Sequence, residues 1–258
     1  MDLRERPSGL LFGKGKRKVD YIMEILVRIF CIIIGYCFGL IQTAYIYGKL
    51  HGIDIREHGS GNSGTTNALR VLGKKAGLVV FLGDLLKATA ACVLARVIGT
   101  IFFPEIVYPM ILWTGLGVVV GHNFPFYMHF QGGKGIAATA GVILGLLDWR
   151  IIVLCLTVFI LCVAITRYVS LGSLIVVTLF FISFIFLGYH GGIMNPVTKT
   201  AYEGNELIES YVVIFLFAAL AFYRHKPNIV RLIHGNENKI FAKKPETAED
   251  GTEKNNPM

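Results

Sequence analysis

Apolar runs long enough to cross a lipid bilayer recur through most of this 258-residue chain, and they restrict its architecture more than any motif does. A helix needs about twenty apolar residues to cross a hydrocarbon core. The runs are too long for barrel strands and lack their alternation, and backbone polar groups cannot stay unpaired in lipid, so they read as helices. Clear spans fall at 25–47, 78–102, 107–120, 151–166, 171–188 and 211–222, and a shorter run at 136–147 makes a seventh. The expected fold is all-α: a polytopic integral membrane bundle of seven transmembrane helices, with short helices and loops at one face. Only 16% of residues are charged, against about a quarter in soluble domains. Residues 23–240 thus form one transmembrane domain, with little room for a separate soluble one.

Seven crossings put the connections 51–76, 121–135 and 167–170 and the C-terminal tail on one face. That face holds Lys49, Arg56, Arg70, Lys74, Lys75, Lys134, Arg167, Arg224, Lys226, Arg231, Lys239, Lys243, Lys244 and Lys254, whereas the opposite loops hold Arg150 and Lys199. Positive loops stay inside, so the motif-bearing face is expected in the cytoplasm. The net charge of +8 then reflects topology and anionic lipid or substrate, and no nucleic acid partner is expected. The N-terminal tail, 1–22, conflicts with this rule, because it carries Arg4, Arg6, Lys14, Lys16, Arg17 and Lys18 yet falls outside. Met23 opens directly onto the first span, which gives the expectation that translation starts there and that 1–22 are not native. Residues 241–258 are polar and aperiodic and read as a disordered tail. Cys31, Cys37, Cys92, Cys155 and Cys162 lie in apolar runs without a CxxC pair and read as packing residues.

The chemistry has to come from the connections. The first reads Gly59-Ser60-Gly61-Asn62-Ser63-Gly64-Thr65-Thr66-Asn67, followed by Arg70, Lys74 and Lys75. Closely spaced glycines let backbone N–H groups converge on an anion, so this segment is either a phosphate cradle or a flexible capped turn. The second runs Gly121-His122-Asn123-Phe124-Pro125, then Gln131-Gly132-Gly133-Lys134-Gly135, into the short apolar run. A lysine between glycines at a helix N-terminus favours a bound phosphate. It is not a Walker A loop, since Gly135 stands where Ser or Thr belongs. His122 is either a substrate contact or a helix-end residue. The third connection offers Arg167 and Ser170, which helix capping alone explains. The fourth cluster, Arg224-His225-Lys226-Pro227-Asn228 with Arg231 and Glu237, is either a site or a solvated basic end to the last span. Asp84 and Lys87 lie within the second span and are expected to face the bundle or its edge. Gly-x-Ser-x-Gly, HExxH and His-x4-Asp are all missing from the sequence, so catalysis is expected to rest on positioning and charge neutralisation.

In order and spacing these four segments resemble the bacterial acyl-phosphate:glycerol-3-phosphate acyltransferase family called PlsY, over most of the chain from the first span to about Lys239. The resemblance implies a seven-span inner-membrane enzyme. It would move a fatty acyl group from acyl phosphate to the sn-1 hydroxyl of glycerol 3-phosphate, giving lysophosphatidic acid and phosphate, the first acylation of phospholipid biosynthesis. It also implies that Ser60, Arg70, Lys134, His225 and Asn228 are the catalytic polar residues, with no protein nucleophile. Gly59, Gly61, Asn62, Thr66, Asn67, His122, Gly132, Gly133, Gly135 and Ser170 would bind or shape the substrate pockets. The implied partners are glycerol 3-phosphate, acyl phosphate and membrane lipid, with no metal or cofactor. One departure concerns shape: the family's Gly-Ser-Ile-Pro-x-Gly is here Gly39-Leu40-Ile41-Gln42-Thr43-Ala44. The rival readings are a transporter of a phosphorylated solute and a lipid-binding scaffold.

Overall fold

A computed structural model describes residues 18–240. Residues 1–17 and 241–258, which hold most of the basic N-terminal tail and the whole polar C-terminal tail, lie outside the described residues. The first helix, α1 (Lys18–Gly39), begins within the tail, so residues 18–22 continue the first span. It is followed by α2 (Thr43–Leu50), α3 (Thr65–Phe102), α4 (Val107–Asn123), α5 (Ile136–Leu146), α6 (Trp149–Thr166), α7 (Val169–Tyr189), α8 (Gly204–Arg224) and the short α9 (Lys226–Ile233). Among the described residues, six helical segments are long and apolar enough to cross a membrane, and α5 is a shorter apolar helix. The all-α membrane bundle is therefore as expected, with six long spans and the short helix at the place of the seventh.

Hydrogen bonds between connections sort the helix ends into two groups. At one end Gln42 Nε2 donates to the His122 carbonyl at 3.0 Å, and Asn62 Nδ2 reaches the Gly132 carbonyl at 3.4 Å. There too Arg224 bonds the Gly132 and Gly133 carbonyls, and the Ile240 N–H donates to the Arg167 carbonyl. At the other end Asn195 Nδ2 donates to the Pro104 carbonyl at 2.8 Å, and Arg150 Nη2 to the Gly192 carbonyl at 2.7 Å. The four motifs thus share one end of the bundle.

Without a hydrophobic driving force between helices in lipid, close packing of small residues takes its place. Gly35 and Gly39 of α1 face Gly117 and Gly121 of α4, each a small-xxx-small pair. A Cβ added at Gly35 would lie 2.0 Å from the Thr114 carbonyl oxygen, and one at Gly121 2.4 Å from that of Tyr36. The backbones touch. α5 docks on α3 in the same way, through Gly141 against Leu85 and Gly145 against Cys92. Its end is pinned by Arg96 Nη2, which donates to the Leu146 carbonyl at 2.7 Å. It runs antiparallel to α4, with Gly135 beside Val119 and Leu146 beside Tyr108, which keeps the parity of the chain. α6 is peripheral, with only Ile151 and Cys155 buried. Cys31, Cys92 and Cys155 are buried packing residues; Cys37 is exposed and Cys162 half-buried.

One expected span proves discontinuous, and another is preceded by a helical extension with a break of its own. The run 25–47 breaks between α1 and α2, and the carbonyls freed there are claimed by other elements. Gln42 Nε2 takes that of Gly39 (3.1 Å), Tyr127 takes that of Leu40 (2.6 Å), and Lys87 takes that of Ile41. Irregular backbone at membrane depth requires such partners, and Gln42 supplies one at the position of the family's proline. The second span begins well before residue 78: Thr65 opens α3, and Gly73, at φ 87°, breaks it before the long apolar portion. Thr66, Asn67 and Arg70 are therefore helical residues and not part of a loop.

Candidate active site

The first motif is folded by one side chain. Asn67, on the first turn of α3, accepts the Ser60 N–H at 2.8 Å and donates to the carbonyls of Ile55 (3.1 Å) and His58 (3.0 Å). A Cβ at Gly59 would lie 2.4 Å from Asn67 Oδ1, so the glycine is needed for the approach. Asn67 is buried and shapes the loop. Gly59 and Gly61 both have positive φ, which leaves Ser60 exposed at the turn between them. Thr66 follows on α3, half-buried. Arg70 is exposed and makes no hydrogen bond or ion pair among the described residues.

The second motif is a tight loop resting on the end of α4. The N–H groups of Gly132 and Gly133 donate to the carbonyls of Asn123 (3.1 Å) and His122 (3.0 Å). Arg224, from the end of α8, closes the other side, Nη2 donating to the Gly132 carbonyl at 2.9 Å and the Gly133 carbonyl at 2.8 Å. Both glycines are buried. His122 is buried behind Gly133, whose Cβ, if present, would fall 2.0 Å from His122 Nε2; the imidazole lies under the loop. Gly135, at φ 79°, turns the chain into α5, where the first N–H groups have no helical partner.

From this loop Lys134 projects to the fourth motif, its Nζ hydrogen-bonded to Asn228 Oδ1. Asn228 Nδ2 donates to Glu237 Oε1 at 2.8 Å, and Arg231 Nε to Glu237 Oε2 at 2.8 Å, so the amide orientation is fixed. His225 is buried between α8 and α9. Its Nδ1 lies 2.8 Å from the Ala221 carbonyl, which can only accept, so Nδ1 carries the proton and a neutral ring offers Nε2 as an acceptor. Burial pushes the imidazole down to about 4, and the nearby Lys134 charge adds to the fall. Burial likewise lowers the Lys134 ammonium from 10.5 to about 8, Glu237 opposing the shift and Arg231, Arg224 and Arg70 adding to it. Three arginines and one carboxylate so lie within electrostatic reach of Lys134, which suits an anionic ligand.

Of the residues expected from sequence, Lys134 and Asn228 meet directly, His225 lies within reach of the Lys134 charge, and Arg70 bears on Lys134 through its own charge. Asn62 joins the first motif to the second by its bond to Gly132. Ser170 opens α7, buried, its Oγ without a hydrogen-bond partner among the described residues, and no bond ties it to the Lys134 cluster. Arg224 and Glu237 organise the site and were legible only as part of a basic chain end. No group of three or more His, Cys, Asp or Glu side chains among the described residues could hold a metal ion.

The chain has extensive similarity to known proteins. A family model described as glycerol-3-phosphate acyltransferase matches residues 29–235. A glycerol-3-phosphate acyltransferase of Clostridioides difficile (strain 630) is 40% identical over 227 residues, covering 86% of this chain and 100% of that protein. One from Chlorobaculum tepidum is 37% identical over 227 residues, covering 83% and 97%. The crystal structure of PlsY (YgiH), an integral membrane glycerol 3-phosphate acyltransferase, in its glycerol 3-phosphate form superposes with a TM-score of 0.67 at 32% identity, over 83% of this chain and 95% of that one. Its lysophosphatidic acid form gives 0.65 at 30% identity.

Proposed function

The chain belongs to the glycerol-3-phosphate acyltransferase family, and from that premise we propose that it transfers a fatty acyl group from acyl phosphate to the sn-1 hydroxyl of glycerol 3-phosphate, giving lysophosphatidic acid and phosphate. The observation that carries the reading is the junction of Lys134 with Asn228 beside neutral His225. It offers charge for two phosphates and an acceptor for a hydroxyl.

In this scheme Arg70 and Lys134 hold the phosphate groups, with the hydroxyls of Ser60 and Thr66 and the N–H groups of the first turn of α5 as further donors. Asn62, Asn67, Gly132, Gly133 and Gly135 shape that pocket. Asn228, oriented by Glu237, fixes the Lys134 ammonium. The unprotonated Nε2 of His225 accepts a hydrogen bond from the attacking hydroxyl. The hydroxyl oxygen bonds to the acyl carbon, the bond from that carbon to the phosphate oxygen breaks, and phosphate leaves with the electron pair and takes up the hydroxyl proton, its remaining charge stabilised by the cations. Rate comes from alignment and electrostatic stabilisation, without a covalent protein intermediate or a cofactor. The site lies on the cytoplasmic face of a bacterial inner membrane, the acyl chain between helices in the lipid.

Family membership and the collection of the cations at one end favour this reading over a transporter of a phosphorylated solute. The purified protein, given acyl phosphate and glycerol 3-phosphate, is expected to release phosphate and form lysophosphatidic acid only when both are present. Product formed from an acyl thioester and not from acyl phosphate would overturn the donor assignment.

A further inference from the structure

Beneath the glycine loop, three segments meet at a charged cluster that the scheme above leaves unused. Asp84 and Lys87 sit one turn apart on α3 and are only 1% and 6% exposed. Lys87 Nζ lies 2.8 Å from Asp84 Oδ1 and 3.0 Å from His122 Nδ1, and it also bonds the Ile41 carbonyl. Thr43 Oγ1 donates to the same carboxylate oxygen at 3.1 Å. Ionisable groups inside a membrane bundle are costly. A buried ion pair can often be replaced by apolar residues without loss of stability, so fold stability alone does not call for this one.

The donor count defines the imidazole. An ammonium has three N–H groups and no lone pair, and three acceptors surround it here: the Ile41 carbonyl, Asp84 Oδ1 and His122 Nδ1. His122 Nδ1 therefore supplies a lone pair, and the neutral ring carries its proton on Nε2, against Gly133. The His122 carbonyl accepts both the Gly133 N–H and Gln42 Nε2, each at 3.0 Å. The backbone from which Lys134 projects thus rests on His122, together with the Asn123 carbonyl and the Arg224 guanidinium.

We propose that Lys87 is a positioning residue for acyl transfer: neutralised by Asp84, it clamps His122 as the Nε2–H tautomer, and His122 seats the glycine loop so that Lys134 reaches Asn228. The same ammonium ties that loop to the break between α1 and α2. The proposal deepens the acyltransferase reading, on which its kinetic arm rests, whereas its spectroscopic arm does not.

The test uses full-length protein labelled with 15N-histidine, the His122 signals assigned with His122→Gln. Wild type is expected to show His122 as a single tautomer, Nε2 protonated and Nδ1 bare. In Lys87→Met, and in the charge-balanced double variant Asp84→Asn/Lys87→Met, the tautomers should mix. The kcat for phosphate release should fall on the order of 100-fold, as for a misplacement of about 1 Å, with the melting temperature of the double variant retained. A wild-type His122 protonated on Nδ1 would overturn the clamp whether or not a variant folds. A double variant with wild-type kcat would overturn its catalytic relevance. Wild-type protein inactive with acyl phosphate would count against the acyltransferase reading, leaving the tautomer to judge the clamp.

Discussion

At Lys134, burial works against charge, and the consequences can be measured in two directions. The folded value near 8 lies below the ordinary 10.5, so the unfolded chain binds more protons between these limits and stability rises with pH across that window. Lys134→Met is therefore expected to raise the melting temperature at pH 7, with the gain fading above about pH 10, while lowering kcat/KM about 100-fold or more. In the wild-type enzyme kcat/KM should fall as pH rises through about 8, because the free-enzyme ammonium is lost. Lys134→Arg should move that limb to higher pH in whatever activity it keeps, and an unmoved limb would assign the titration to another group. Lysine between glycines was readable as a phosphate-binding signal. Its partner Asn228, 94 positions away, was tied to it only by family resemblance, because no local rule connects a loop after α4 to a helix after α8.

Helix identity followed from hydrophobic length, which the bilayer fixes, and α4, α5, α6 and α7 begin and end within a few residues of the sequence reading. The breaks did not. A helix can interrupt at Gly39 only because Tyr127 and Lys87 donate to the freed carbonyls, and Lys87 arrives from 46 residues away. The turn at Gly73 likewise looks, in sequence, like one more glycine in a polar connection. The α1–α4 contact offers the sharpest element-level test, since its glycines meet backbone and have no side chain that can yield. Gly121→Val should lower stability by about 1–3 kcal/mol or more and reduce activity, because Gly121 directly precedes His122. Gly52→Val, where an added Cβ meets nothing within 4 Å, is the contrast: it strains a positive φ of 77° yet leaves the α1–α4 crossing intact, and should preserve helix packing measured by crosslinking across that pair.

For the whole molecule, parity gathers four motifs at one end, and the charge bias says which side of the membrane that end faces. With Cys37 replaced, a cysteine at Lys199 should react with a membrane-impermeant thiol reagent on intact cells, and one at Lys239 only after the membrane is opened. The reverse pattern would invert the orientation. One helix also sets a depth. The 11 residues of α5 rise about 16 Å, roughly half of a hydrocarbon core of about 30 Å, and its far end is level with the opposite loops at Tyr108. At its other end the preceding loop climbs back to the ends of α4 and α8, where Gly133 bonds the His122 carbonyl and Lys134 reaches Asn228. A water-soluble reactant would then meet Lys134 at the level where the long helices end, while one dissolved in the leaflet would have to raise its carbonyl to that level before the two could react.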